Sequence, residues 1–447
     1  MATAASHHAL LLPYPTLGHV LPLMEIAHRL VATGFTVTFV NTEHNHRRLL
    51  PAAAAGLRLV ALPDGLPPGD DREDIGRLTA AVVRIMARHF EELIRETNSG
   101  GDCAGEITYM VADQGLGWAF DIAKNAGIPA AAFWAASAAT LSTILSIPKL
   151  VQDGIILPDG RGTEKETFQL AAGMPVMNQK HLSWNRFGNP AAQQVMFKLF
   201  VDNNAATDDG EVLLLCNSFP GIEAPTFSFL PRIIPLGPLL AGRPRFMPED
   251  PGGAAWLDAH PPRSVIYVAF GSLTTFHRRQ LEEIAQGLEL SGRPFLWVQR
   301  SAGGGDDDPP ELHRRRGKVL RWAAQQEVLA HPAVACFLTH CGWNSIVEGA
   351  ANGVPFLCWP CFGDQFLNRD YICDVWRTGL SLPVPAEGEG VVSGEEIRQG
   401  VEKVMGDQGM RERALRIREA AERSSREGGD SYRNFQNFVD AMKKKKL

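Results

Sequence analysis

The chain lacks most of what would place it in a membrane, outside the cell or on nucleic acid. No stretch approaches the ~20 uninterrupted apolar residues of a membrane span. The opening residues, MATAASHHALLLPYP, have no basic segment, and their apolar run is too short for a secretory signal. No Asn-x-Ser/Thr acceptor site occurs. The seven cysteines are odd in number and unpatterned. Cys358 and Cys361 form a C-x-x-C, but inside an apolar run, which weighs against a redox or metal role. A net charge of −6 supplies no basic excess for a nucleic-acid partner. The lysine run at 443–446 reads as a solvated tail. No Asp-x-Asp pair is suited to bridging a metal and a diphosphate, so no metal is expected. These absences favour a soluble cytoplasmic protein with no membrane partner, a monomer by default.

What is present is alternation. At 447 residues, two or three domains are expected. His8–Tyr14 is an apolar run ending at Pro15, and Leu17–Gly18–His19 is a turn. Residues 20–33 then space Leu23, Ile26, Ala27 and Leu30 along one helix face, and Gly34 ends the helix. Phe35–Asn41, Leu57–Leu62, Thr108–Asp113 and Ala130–Trp134 read as strands, with a helix over 114–126. Leu213–Phe219 is strand-like. Residues 241–253 are rich in Pro, Gly and charge and read as a linker. The alternation then restarts. Ser264–Phe270, Pro294–Gln299, Val334–His340 and Pro355–Trp359 read as strands, and 277–291 and Asn344–Asn352 as helices. Ser393–Glu396 matches a capping box ahead of another helix. A final amphipathic helix carries Tyr432, Phe435, Val439 and Met442. Loops 62–76 and 301–310, acidic and rich in Pro and Gly, read as surface insertions.

Strands separated by helices imply a parallel, doubly wound sheet. The expected α/β architecture is two such Rossmann-like domains in tandem, 1–240 and 254–427, facing across a cleft. A C-terminal helix, 428–447, is placed to pack back on the first domain.

The candidate chemistry concentrates in Trp322–Gln365, WAAQQEVLAHPAVACFLTHCGWNSIVEGAANGVPFLCWPCFGDQ. Trp322 can stack on a base, with Ala323 and Gln325 beside it to read a polar edge. His340 ends a strand, and Trp343, Asn344 and Ser345 lead into a helix whose N-terminus suits a diphosphate. Asp364 and Gln365 can hold the vicinal hydroxyls of a hexose. This block closely resembles the signature of plant family 1 UDP-glycosyltransferases, and the two-domain layout resembles their GT-B fold over nearly the whole chain. The resemblance implies that Glu348 holds ribose hydroxyls and that Ser272 and Thr274 add a diphosphate contact. It implies UDP-glucose through Gln365 and through Trp343 in place of arginine. It also implies that His19 is a general base oriented by Asp113, giving a β-glucoside by in-line displacement. Family acceptor pockets are built from first-domain loops. Gly18, Phe90, Phe133, Ser137 and Trp184 are candidates for lining one, which favours an aromatic or terpenoid aglycone. At position 135 the family often has Thr or Ser touching the donor sugar. This chain has Ala135, with Ser137 two residues on.

Two rival readings are weaker. A nicotinamide oxidoreductase would need G-x-G-x-x-G, where only Gly18 stands, and a ribose-binding acid where the second strand ends in Asn41. A non-catalytic UDP-sugar-binding protein would have no need of both His19 and Asp113.

Overall fold

The computed structural model describes residues 7–52, 54–101, 105–187, 189–208, 210–240, 252–299, 316–383 and 390–444. They fall into two compact units. The first draws on Met1–Glu166, Trp184–Phe246 and Ser424–Leu447, the second on Thr167–Ser183 and Met247–Arg423. The short stretch 167–183, expected in the first domain, therefore groups with the second. The expected linker lies outside the described residues except for Gly252 and Gly253, which open helix Gly252–Asp258. Loop 301–310 lies outside them altogether.

In chain order the strands are β1 (His8–Leu12), β2 (Thr36–Thr42), β3 (Leu57–Leu62), β4 (Tyr109–Asp113), β5 (Ala130–Trp134), β6 (Thr167–Phe168), β7 (Met177–Asn178), β8 (Leu213–Cys216) and β9 (Ile233–Pro235). They continue with β10 (Val265–Ala269), β11 (Phe295–Val298), β12 (Gly317–Leu320), β13 (Val334–Thr339), β14 (Phe356–Cys358) and β15 (Gly379–Ser381). The first unit holds a seven-stranded sheet in the order β3-β2-β1-β4-β5-β8-β9, every pairing parallel. The second holds a six-stranded parallel sheet, β12-β11-β10-β13-β14-β15. β6 and β7 form a separate antiparallel pair.

A parallel sheet covered on both faces needs strands that are apolar throughout. β1 shows how. Ala9 and Leu11 point into a cluster with Leu23, Ile26 and Leu30 of helix Leu17–Ala32. Leu10 and Leu12 point into the opposite cluster with Phe90 and Phe120. All four are fully buried, and each leucine contributes about 1.5–3 kcal/mol. Helix Asp430–Lys443 adds Phe435, Phe438, Val439 and Met442 to the first cluster. Tyr432, read from the sequence as part of that face, is 37% exposed. Lys443, read as solvated tail, donates to the Thr33 carbonyl at 3.3 Å. In the second unit, β10 buries Ile266 and Val268 against Ile284 and Leu288 of helix Arg278–Leu290 and Ile397 and Val401 of helix Gly394–Gly406. The capping box between Ser393 and Glu396 is formed in both directions.

Each sheet reverses direction once. From β1 the chain winds outward to β3, then jumps back to lay β4 on the other side of β1. From β10 it winds outward to β12, then returns with β13. Ligands of open α/β sheets bind beyond the carboxyl ends of the strands at such a reversal. The β1/β4 and β10/β13 crevices are therefore the places where chemistry is expected.

Candidate functional site

In the first unit, His19 sits in the first turn of the helix that follows β1, and Asp113 is the last residue of β4. Because Leu12 pairs with Ala112, the two residues leave the sheet side by side at the reversal. The His19 imidazole, at Nδ1, bonds Asp113 Oδ2 at 2.7 Å. The aspartate is fully buried, while the histidine side chain keeps 29% of its surface. Asp113 Oδ1 accepts from the Gly115 backbone N–H at 2.8 Å, which sets the carboxylate rotamer. The Tyr14 ring lies 5.4 Å from the imidazole, and its hydroxyl is hydrogen-bonded to Thr79. Asn45, itself buried, donates to the Pro15 carbonyl and pins the loop ahead of His19. A carboxylate can only accept, so the bond fits the tautomer with the proton on Nδ1. Nε2 is then the nitrogen that can take a proton from elsewhere.

The remaining first-unit candidates are placed as follows. Gly18 is exposed beside His19. Phe133 pairs with Asp113 across the β4/β5 ladder, but its ring is wholly buried among Leu11, Val20 and Leu215. Phe90 is fully buried, edge-on to Trp118 at 5.7 Å. Trp184 is buried against Phe197 and donates its indole N–H to the Gly160 carbonyl at 3.0 Å. These three rings pack into the core of the unit and present no exposed face. Ser137 caps helix Ala138–Leu145, its hydroxyl accepting from the Thr140 N–H. That helix start has a second holder which the sequence reading missed. Glu223, fully buried, accepts from the Ala138 and Ala139 N–H groups at 2.9 and 2.7 Å and from the Ser218 hydroxyl. Burial pushes the Glu223 carboxyl up to about 7 against those bonds.

In the second unit, every candidate follows the carboxyl end of a strand. Ser272 and Thr274 follow β10, Trp322 to Gln325 follow β12, His340 to Glu348 follow β13, and Asp364 and Gln365 follow β14. Trp322 is half-buried and Ala323 beside it likewise. Gln325 donates to Ser345 Oγ at 2.9 Å and Glu348 Oε2 at 2.7 Å, and accepts from the Tyr267 hydroxyl. Gln326, which the sequence reading passed over, donates to the other Glu348 oxygen at 3.1 Å. Burial raises the Glu348 carboxyl above its usual range, and the two amides oppose that rise.

His340 is buried, and desolvation pulls it down to about 4, so it is neutral at physiological pH. Its ring bonds the Ala269 backbone, and its Nδ1 lies 3.5 Å from Thr339 Oγ1. Gly271 and Gly342 cover its ring, and a Cβ on either would collide with Nε2. Gly271 also has φ +74°, which an L side chain rarely adopts. Cys341, between His340 and the helix, holds φ +69° without being glycine. Such strain costs on the order of 1–3 kcal/mol and concentrates at functional turns. The helix it feeds, Trp343–Ala351, aims its first N–H groups out of the β10/β13 crevice, with Asn344 and Ser345 in its first turn. Trp343 is buried with its ring 6.4 Å from Trp376. Thr274 Oγ1 is buried with no partner among the described residues. Gln365, buried, accepts from the Cys361 and Phe362 N–H groups at 2.8 and 3.1 Å. Those bonds use its oxygen, leaving the amide N–H pair as what it can offer a hydroxyl.

No helix among the described residues is long and apolar enough to cross a membrane. The model of the UDP-glucoronosyl and UDP-glucosyl transferase family matches residues 248–421. UDP-glycosyltransferase 83A1 of Arabidopsis thaliana is 40% identical, over 98% of this chain and 97% of its own length. The 7-deoxyloganetin glucosyltransferase of Gardenia jasminoides is 33% identical, over 98% of both chains. Among solved structures, Os79 of O. sativa in complex with UDP is 27% identical with a TM-score of 0.81, covering 97% of this chain and all of that one. The same protein in complex with U2F and trichothecene is 28% identical with a TM-score of 0.78, over the same shares.

Proposed function

The chain belongs to the plant family 1 UDP-dependent glycosyltransferases, and on that premise we propose that it moves glucose from UDP-glucose, with inversion, onto a hydroxyl of a small lipophilic plant metabolite. The observation that carries this reading is the 2.7 Å bond from His19 Nδ1 to a wholly buried Asp113 at a sheet reversal. With Nδ1 committed to the carboxylate, Nε2 takes the acceptor proton as the oxygen attacks the anomeric carbon. Asp113 then stabilises the imidazolium that forms. The transition state carries oxocarbenium character. The C–O bond to UDP breaks as the new glycosidic bond forms on the opposite face, so an α-linked donor yields a β-glucoside.

The departing diphosphate is stabilised by the N-terminus of helix Trp343–Ala351, by Asn344 and Ser345, and by the hydroxyls of Ser272 and Thr274. Neutral His340 donates a hydrogen bond without adding a charge. Trp322 stacks on uracil, Glu348 holds the ribose, and Asp364 and Gln365 hold the glucose hydroxyls. The buried Thr274 hydroxyl, without a partner among the described residues, supports a ligand oxygen at that position. No metal is called for in this scheme.

For the acceptor we favour a flavonoid or phenylpropanoid hydroxyl. A terpenoid acceptor is the second reading, favoured by the names of the 7-deoxyloganetin glucosyltransferase and the trichothecene complex. Mass spectrometry of the protein incubated with UDP-glucose and a panel of phenolics and terpenoids, with chelator present, tests all of this. A hexose-sized gain on one class, lost in His19→Ala, is the expected result. Donor binding with no transfer to any acceptor would favour a UDP-sugar-binding protein.

A further inference from the structure

Asn368 stood outside the candidates read from the sequence. It lies in helix Gln365–Asp370, one turn after Asp364, and is fully buried. Its amide nitrogen donates twice, to Asp364 Oδ2 at 2.8 Å and to the Cys341 carbonyl at 3.1 Å. Its oxygen, Oδ1, is buried with no partner among the described residues. We propose that Asn368 is a positioning residue for donor-sugar recognition, joining the carboxylate at one end of the donor block to the left-handed turn at its centre. The inference rests on the reading of Asp364 as a sugar ligand given above.

Two features separate this from ordinary core packing. A buried amide whose oxygen goes unpaired is costly, and an apolar side chain of the same shape would be the better choice if filling space were the only task. Its N–H pair therefore has to do something that leucine cannot. The partners also fit the role. The Cys341 carbonyl belongs to the residue held at φ +69°, a conformation that persists only when its surroundings enforce it. Asp364 has a carboxylate with two oxygens, and anchoring Oδ2 leaves the orientation of Oδ1 determined. One amide thus sets the aim of the sugar-binding acid against the turn that leads into the diphosphate-binding helix.

The test is calorimetric binding of UDP-glucose and UDP, with melting temperatures, for the wild type, Asn368→Leu, Asp364→Ala and the double variant. Asn368→Leu should melt below the wild-type temperature, because the Cys341 carbonyl and Asp364 Oδ2 lose their donor, and bind UDP-glucose about tenfold more weakly, a loss of about 1.4 kcal/mol. Its loss for UDP, which has no sugar, should be smaller. In the Asp364→Ala background the same change should cost UDP-glucose binding less than about threefold, because positions acting through one another are non-additive. Equal, multiplicative effects in both backgrounds would overturn the proposal, as would equal losses for UDP and UDP-glucose. Asn368→Asp covers the case in which leucine does not fold. It should bind UDP-glucose weakly at neutral pH and partly recover as the pH falls, when a protonated acid can again donate to Asp364. Absence of that recovery counts against the proposal. If Asp364→Ala alone leaves UDP-glucose affinity unchanged, the donor reading of Asp364 has failed and this inference falls with it. If Asp364→Ala weakens UDP-glucose but does not couple to position 368, the inference alone has failed.

Discussion

The two sheets reverse in the same way and place a histidine at the same kind of crevice, yet the two histidines are opposites. His19 is partly exposed, and its Nδ1 is bonded to a buried carboxylate. His340 is buried under Gly271 and Gly342, bonds a backbone group, and is pulled down to about 4. A histidine that must accept a proton needs a nearby negative charge to stabilise its cation. One that must face a diphosphate at constant charge is better kept neutral and dry. On the proposed reading, the same topology serves proton transfer in one unit and anion binding in the other, and the local partner decides which. The carboxylates divide in the same sense. Asp113 is set against an imidazole, whereas Glu223 and Glu348 are buried among amides, hydroxyls and N–H groups, and both are raised.

The sharpest way to break the comparison is to exchange roles. His19→Ala should lower kcat by about 10²–10⁴-fold while UDP-glucose affinity stays near wild type. His340→Ala should instead weaken UDP binding and affect turnover mainly through KM. Steady-state kinetics beside calorimetry check both, and a His19→Ala variant with full turnover would end the catalytic reading.

Next in size are the pH responses of the two buried groups, each worth up to about 3 kcal/mol. The folded His340 value lies below the ordinary 6.5, so its contribution is complete above 6.5 and is lost as the pH falls through about 4. The folded Glu223 value lies above the ordinary 4.5, so its contribution is complete below 4.5 and is lost as the pH rises through about 7. Denaturant melts across this range should show His340→Gln flattening the acid side for the second unit. Glu223→Gln should flatten the neutral side for the first.

Smaller again, Trp322→Ala should weaken UDP binding by about 1–3 kcal/mol, the usual worth of an aromatic stacked on a base. An unchanged UDP affinity would move Trp322 from base stacking to packing. The least effect is expected for Ser137→Ala, about 1 kcal/mol of stability from a lost helix cap, read as a lower melting temperature with kcat/KM unchanged. A changed sugar preference in that variant would instead make Ser137 the replacement for the contact that Ala135 cannot offer.

Legibility in the sequence followed local periodicity. β3 and β5 run over the residues their apolar patterns indicated, and the capping box at Ser393 stands where its spacing put it. Of the strands that escaped the reading, β9, β12 and β15 are three or four residues long and lie at sheet edges, and β6 and β7 are two residues long in a pair of their own. Runs that short carry no usable pattern. The helix after β1 begins at Leu17 rather than residue 20, so His19 lies within its first turn and not ahead of it. The donor-block candidates could be proposed from sequence because Trp322–Gln365 is one ordered run that resembles a family signature. Asn368 and Glu223 could not, because a buried amide and a buried acid look like any other polar residue until their partners are known. Aromatic rings misled for the same reason. Phe90, Phe133 and Trp184 read equally well as cavity wall or core, and three-dimensional packing put them in the core.

Sequence alone determined the doubly wound architecture, which rests on periodicity and on spacing along the chain, while the candidate residues at the carboxyl edges came from the family resemblance together with that spacing. Only the tertiary structure shows how the groups meet. The 94-residue gap between His19 and Asp113 closes because β4 returns beside β1. The charge on a histidine or a buried glutamate depends on the groups that fold around it, which neither composition nor order along the chain can supply.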